Sequence, residues 1–181
     1  MSSRVDICDR LLAGAKNMLT KRLTEAPVFE EVKTDVGTAF RTDDILVFIP
    51  PIEDGTIIKV KNEMVQMLYA LLESLGMDHA ILIHHEVAPQ ANELLTTHAV
   101  YTIEMFKYKF MLYDPTAHEK TPKQYLLSPE QVAKELPNVK MSQLPSMKQS
   151  DAIARFYYWL PGSVVKIDRK EGPYYRFIVK G

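Results

Sequence analysis

Five consecutive apolar residues, Ile45–Ile49, are cut off by Pro50-Pro51, and this segment constrains the fold more than any other stretch. Its length and branched side chains predict a buried strand. Helical and extended patterns alternate around it. Val5, Cys8, Leu11, Leu12, Ala15, Met18, Leu19 and Leu23 recur at helical spacing, with an approximate capping box at Ser3 and Asp6 and a stop at Pro27. Asn62 is placed to cap a helix whose Met64, Met67, Leu68, Leu71, Leu72 and Leu75 form one stripe, and Gly76 is its terminator. Val28–Val32, Thr56–Val60, Ala80–Ile83 and Val100–Met105 read as further strands, with a turn at Asp54-Gly55 and a short helix from Pro89 to Leu95. This alternation predicts an α/β unit with helices covering one face of its sheet.

Residues 106–113 alternate Phe106, Tyr108, Phe110 and Leu112, as a short strand or bridge into a second unit. There, Ser128-Pro129-Glu130-Gln131 is a strong helix start: serine caps, proline fills the first turn, and Gln131 closes a capping box. Ser150 or Asp151 caps a further helix presenting Ile153, Phe156 and Tyr157, and Val164–Ile167 and Tyr175–Val179 form a final hairpin. The fold class expected is mixed α+β and α/β, with residues 1–105 as an amino-terminal α/β domain and residues 106–181 as a small mixed α/β domain.

Charge separates the same two regions. The net charge is −1, but residues 1–105 hold 9 Lys/Arg against 16 Asp/Glu, and residues 106–181 hold 13 against 7. Phosphate-backbone binding draws its affinity from lysine and arginine, so the acidic region alone is poorly suited to it, whereas the basic region can face nucleic acid or an acidic protein surface. The lone cysteine, Cys8, excludes an internal disulfide and a thiolate zinc cluster within the chain, and it sits on the apolar stripe of the first helix. With no leader-like amino terminus and no apolar run long enough to span a bilayer, the expectation is a soluble intracellular protein with no membrane partner.

Catalytic motifs are sparse. The seven glycines match neither phosphate-binding loop pattern, and no nucleophile-elbow motif selects a serine. His84 and His85 alternate to opposite faces of a strand, which suits them poorly to one metal, and His79, His98 and His118 stand apart in sequence. The enzyme reading that survives is a divalent-metal-dependent nuclease built on Asp54, beside Glu53, with Lys59 or Lys61. A charged turn explains these residues more simply. In the basic region, Lys166, Arg169, Lys170, Tyr174, Tyr175 and Arg176 cluster around the final hairpin, a composition suited to a protein contact or to a stand-alone nucleic-acid-binding module. Phe156-Tyr157-Tyr158-Trp159 cannot all bury on one helix face, so at least one ring faces a partner or caps the sheet.

The ordered set Pro122-Lys123-Gln124-Tyr125-Leu126-Leu127-Ser128, Gln143-Leu144-Pro145, Ser150-Asp151-Ala152, Gly162 to Arg169 and Tyr175-Arg176 resembles the assembly domain of one RNA polymerase family, which unites the fifth-largest subunit of eukaryotic RNA polymerases with its small archaeal counterpart. Ile81-Leu82-Ile83, Val87 to Ala91 and Tyr101 to Phe106 resemble the end of the eukaryotic subunit's amino-terminal jaw domain. The resemblance implies a non-catalytic subunit of a multisubunit DNA-directed RNA polymerase, without cofactor or metal. Its carboxy-terminal domain would dock on the largest subunit, and its jaw would lie along the path of downstream duplex DNA. The matching positions are His118, Pro122, Lys123, Leu144, Pro145, Asp151, Gly162, Lys166, Arg169, Tyr175 and Arg176. Of these, Pro145 and Gly162 are expected to shape the backbone, Leu144 to fill core, and Lys166, Arg169 and Arg176 to make charge-assisted contacts or brace the sheet.

Three departures stand out: Gln124 where the family has histidine, Ala152 where it has proline, and a shorter final hairpin turn. The compact jaw resembles that of a polymerase subunit from a large DNA virus, which implies location in the virion and host cytoplasm. A cellular eukaryotic source implies the nucleus.

Overall fold

A computed structural model describes residues 4–23, 27–97 and 100–181, with side chains described from residue 7 onward. The expected Ser3–Asp6 capping box and His98 lie outside the described residues. The chain divides into two compact units, residues 1–113 and 114–181, eight residues beyond the boundary expected at 105/106. The reason is local: Phe106 and Met111 are buried, and residues 108–111 are helical where a strand or bridge was expected.

In the first unit, α1 (Arg4–Arg22) precedes β1 (Glu30–Val32), β2 (Thr38–Arg41) and β3 (Leu46–Ile49). A small hairpin follows, β4 (Ile52–Glu53) and β5 (Thr56–Ile57), then α2 (Asn62–Leu75), β6 (His79–His84), α3 (Pro89–Thr97), β7 (Thr102–Lys107) and α4 (Tyr108–Met111). The main sheet runs β1-β2-β3-β6-β7; β1, β2 and β3 pair antiparallel, and β3, β6 and β7 pair parallel. Every residue of β3 is buried. Leu46, Phe48, Ala80 and Leu82 face α2 and α3, where they pack with Leu68, Leu72, Ala91 and Leu95. Helices therefore cover both faces, not one: α1 reaches the opposite face, where Arg22 contacts Glu104 and lies over the Phe106 ring. Parallel pairing requires crossover connections, which is what α2 and α3 supply.

Helix α2 ends as its sequence predicts, with Gly76 at φ 66° and its amide donating to the Glu73 carbonyl. Its start differs: Lys61, extended, is the cap, without a side-chain hydrogen bond, and Asn62 is the first helical residue. Asp54 and Gly55 both have positive φ, 48° and 74°, as a two-residue hairpin turn of the primed type needs. Among the described residues no helix is long and apolar enough to cross a membrane.

Two packing constraints hold α1. Gly14 lies against the Met111 backbone of α4, so an added Cβ would collide with that carbonyl. Beyond it, both Arg22 guanidinium nitrogens Nη1 and Nη2 donate to the Glu104 carboxylate, at 2.7 and 2.9 Å, and His79 Nε2 reaches the same carboxylate at 2.9 Å. Burial pushes the Glu104 carboxyl up, but the hydrogen bonds to His79 and Arg22 outweigh it and hold the group below the usual carboxylate range.

Gly14→Ala should destabilise the first unit in urea denaturation, although alanine favours an unconstrained helix by about 1 kcal/mol, because the backbone of α4 cannot yield as a flexible side chain could. Arg22→Ala should destabilise the first unit at neutral pH, by at most about 3–5 kcal/mol, because it takes two hydrogen bonds from a buried carboxylate and leaves it that of His79. Because the folded-state pKa of Glu104 is depressed, its contribution is complete above the unfolded value and is lost as pH falls through the folded one, so the gap between wild type and variant should close on acidification.

Candidate subunit interface

The second unit contains β8 (Gln124–Leu126), α5 (Pro129–Glu135), a 3-10 turn at Met141–Gln143, β9 (Ser146–Lys148), α6 (Ala152–Phe156), β10 (Val164–Arg169) and β11 (Gly172–Val179). Its sheet runs β8-β10-β11-β9, with only β9 parallel to its neighbour. Alternation sorts β10 as its sequence predicts. Val165 and Ile167 are buried with Met147, Ile153, Ala154, Trp159 and Ile178, whereas Lys166 and Asp168 turn to the other face.

Local sequence accounts for both helices. Ser128 Oγ accepts from the Gln131 amide at 3.2 Å while Gln131 Oε1 accepts from the Ser128 amide at 2.8 Å, completing the capping box. Asp151 Oδ1 accepts from the Ile153 amide at 2.9 Å and caps α6. The aromatic run following that cap is divided: Phe156 and Trp159 bury, Tyr157 stacks on Trp159 with centroids 5.0 Å apart, and Tyr158 takes a positive φ of 55°.

The residues singled out from sequence fall into three groups. His118, Pro122 and Lys123 lead into β8: His118 Nδ1 accepts from the Lys120 amide, and the Lys123 carbonyl accepts from the Asp168 amide at 2.9 Å. Leu144, Pro145, Asp151 and Gly162 set backbone geometry. The Pro145 carbonyl accepts from Phe177, and Gly162, at φ 93°, donates its amide to Ile178. Leu144, expected in the core, is only half-buried, because it leaves the 3-10 turn in extended conformation ahead of β9.

Lys166, Arg169, Tyr175 and Arg176 form the third group. Lys166 Nζ and the Tyr175 hydroxyl converge on Glu135 Oε2 of α5, at 2.9 and 2.7 Å. The Tyr175 hydrogen bond, then that of Lys166, holds the Glu135 carboxyl below its usual range, and Glu135 in turn raises both partners. Water reaches this cluster, so it fixes α5 against the sheet by geometry more than by net energy. The Arg169 guanidinium lies 4.6 Å from the Tyr174 ring centroid and that of Arg176 5.7 Å. Arg176 sits opposite Val165 on the core-facing side, with its Nε buried and lacking a hydrogen-bond partner, while Arg169 is exposed at the strand end. Glu135 carries no sequence signal as a partner: its lysine and tyrosine lie 31 and 40 residues away, and no periodicity links them.

The nuclease arrangement is not assembled. Asp54 lies in the β4–β5 turn, Lys59 pairs with Glu86 at 2.6 Å, Lys61 caps α2, and among the described residues no three His, Cys, Asp or Glu side chains are placed to hold a metal ion. His79, apart from other site residues in sequence, belongs to the Glu104 cluster.

A protein-family model described as RNA polymerase Rpb5, C-terminal domain, matches residues 113–179, nearly coincident with the second unit. The DNA-directed RNA polymerase subunit Rpo5 of Sulfurisphaera tokodaii is 40% identical over 76 residues, which cover 38% of this chain and 89% of that protein. The chain belongs to this archaeal and eukaryotic RNA polymerase subunit family. Among eukaryotic members, the DNA-directed RNA polymerases I, II, and III subunit rpabc1 of Dictyostelium discoideum is 29% identical over 143 residues, covering 76% of this chain and 70% of the relative. The Caenorhabditis elegans subunit RPABC1 is 28% identical over 140 residues, covering 75% and 64%. The archaeal match is about as long as the second unit, whereas the eukaryotic matches are too long for it and reach into the first.

Gly162→Ala should lower the stability of the second unit by about 1–3 kcal/mol in chemical denaturation, since the cost is backbone strain at positive φ and not a steric clash.

Proposed function

We propose that this protein is a non-catalytic structural subunit of a multisubunit DNA-directed RNA polymerase, in which the second unit docks on the largest subunit. One observation carries the reading: the stretch that the family model matches, residues 113–179, coincides with a unit that folds around its own core, and a match of similar length takes in nearly the whole of the Rpo5 chain. A region present alone in one lineage and extended in another is the natural seat of the contact that all members share. The catalytic alternative lacks a metal cluster among the described residues.

In this reading the first unit acts as the jaw, lining the downstream DNA channel. With 16 acidic against 9 basic side chains in residues 1–105, it guides duplex DNA by local contacts or by repulsion that keeps the duplex centred, not by a broad phosphate grip. A viral source is a separate proposal resting on the short, divergent first unit. The relatives named above come from cellular organisms and lend it no support. A viral source places the protein in the virion and host cytoplasm, and a cellular eukaryotic source places it in the nucleus.

Arg169→Glu should reduce co-purification with the largest polymerase subunit while leaving the circular dichroism spectrum and melting temperature near wild type, because the side chain is exposed at a strand end. Recovery of the tagged wild-type chain as a free monomer from its native source, without polymerase subunits, would sink the subunit reading.

A further inference from the structure

The second unit has two sheet edges. At one, β9 carries the exposed Lys148, and charge, lysine above all, is how natural sheets discourage added strands. The other edge, β8, is Gln124-Tyr125-Leu126, with no charged residue, and Tyr125 and Leu126 stay 46% and 44% exposed.

Hydrogen-bond parity shows what that edge offers. The Leu127 amide donates to Val164, and the Asp168 amide donates to Lys123. In an antiparallel ladder with Tyr125 opposite Lys166, these bonds assign the odd-numbered residues to β10. Gln124 and Leu126 therefore point their amides and carbonyls away from the sheet, and none of these four groups has a backbone partner among the described residues.

A groove flanks β8 on each face. On one side, about 360 Å³ is lined by Thr121, Pro122, Lys123, Gln124, Ile153 and Tyr157 among others, and Gln124 Oε1 is buried without a hydrogen-bond partner. On the other, about 390 Å³ is lined by Tyr125, Leu126, Gln131, Glu135, Lys166 and Asp168. The two grooves differ in charge: the first holds the Gln124 amide oxygen with Lys123 in its wall, and the second holds two carboxylates against one ammonium. An added strand would send successive side chains into opposite grooves.

We infer that β8 receives an extended segment of a polymerase partner chain as a fifth strand, and that the residue of that segment entering the groove of Glu135 and Asp168 carries a hydrogen-bond donor. This rests on the docking reading above and specifies its mode. A strand supplies the amides and carbonyls that the β8 edge lacks, and a basic or amide side chain complements the carboxylates of the second groove.

The test uses the full chain co-expressed with the largest polymerase subunit. Leu126→Pro removes an outward amide that the protein's own sheet does not use, at an edge position where proline is tolerated. Leu126→Ala retains the amide and controls for the side chain. The expected result is capture weakened about tenfold or more by Leu126→Pro and by much less in Leu126→Ala, with unchanged circular dichroism. Equal capture of wild type and Leu126→Pro overturns strand addition and leaves docking standing, whereas no capture of wild type overturns both. A chain that dimerises alone through β8, and is monomeric as Leu126→Pro, overturns the polymerase partner in favour of a second copy. Should Leu126→Pro not fold, amide hydrogen exchange of the wild type decides: slowing at Gln124 and Leu126 in the complex supports the added strand, and unchanged exchange overturns it.

Discussion

The second unit depends on the pairing of β10 with strands on both sides, because its two-residue period divides everything around it. Val165 and Ile167 take the apolar face, where α6 and Trp159 complete a small core. Lys166 takes the other and meets α5 through Glu135. The same backbone parity assigns half of β8's hydrogen-bonding groups to the sheet and leaves the other half outside it. Core, surface and edge thus follow from one register, and a slip of one residue would exchange all three.

Charge is used differently in the two units. Between α1 and β7, Arg22, His79 and Glu104 meet where little water enters, so removing one partner costs more than it would at the surface. Around β10, the Glu135 cluster is accessible to water, where salt screens ion pairs and geometry counts for more than energy. The acidic excess of the first region and the basic excess of the second are consequently not mirror images. One surrounds a buried cation–carboxylate pair that holds a helix. The other includes a lysine already neutralised by its own unit, so it is a weaker basic patch than its sequence suggests.

Much of this was legible in the sequence where short-range rules act. The apolar runs at β3 and β6, the stripe of α2 with its glycine stop, the Ser128–Gln131 capping box and the alternation of β10 are local signals, and each is present. What escaped was set by partners distant in the chain. β2 reads as polar, with Thr38 and Arg41 at its ends, and becomes a strand because β1 and β3 pair on either side. Residues 108–111 alternate in sequence yet turn helical where α4 packs against α1. Family-pattern positions were visible as a set, but their division into cap, turn, core-facing and exposed positions follows from the sheet register, and the Gln124 groove has no sequence signature.

Trp159 is the only tryptophan in the chain, and it is buried in the core of the second unit with Tyr157 stacked on its ring. Indole emission therefore reports on that unit alone, while the long helices α1 and α2 dominate the helical ellipticity and belong to the first. The molecule carries its own pair of spectroscopic labels, one for each half. Whether the halves melt together or in sequence can be read from an unmodified sample by comparing fluorescence with circular dichroism.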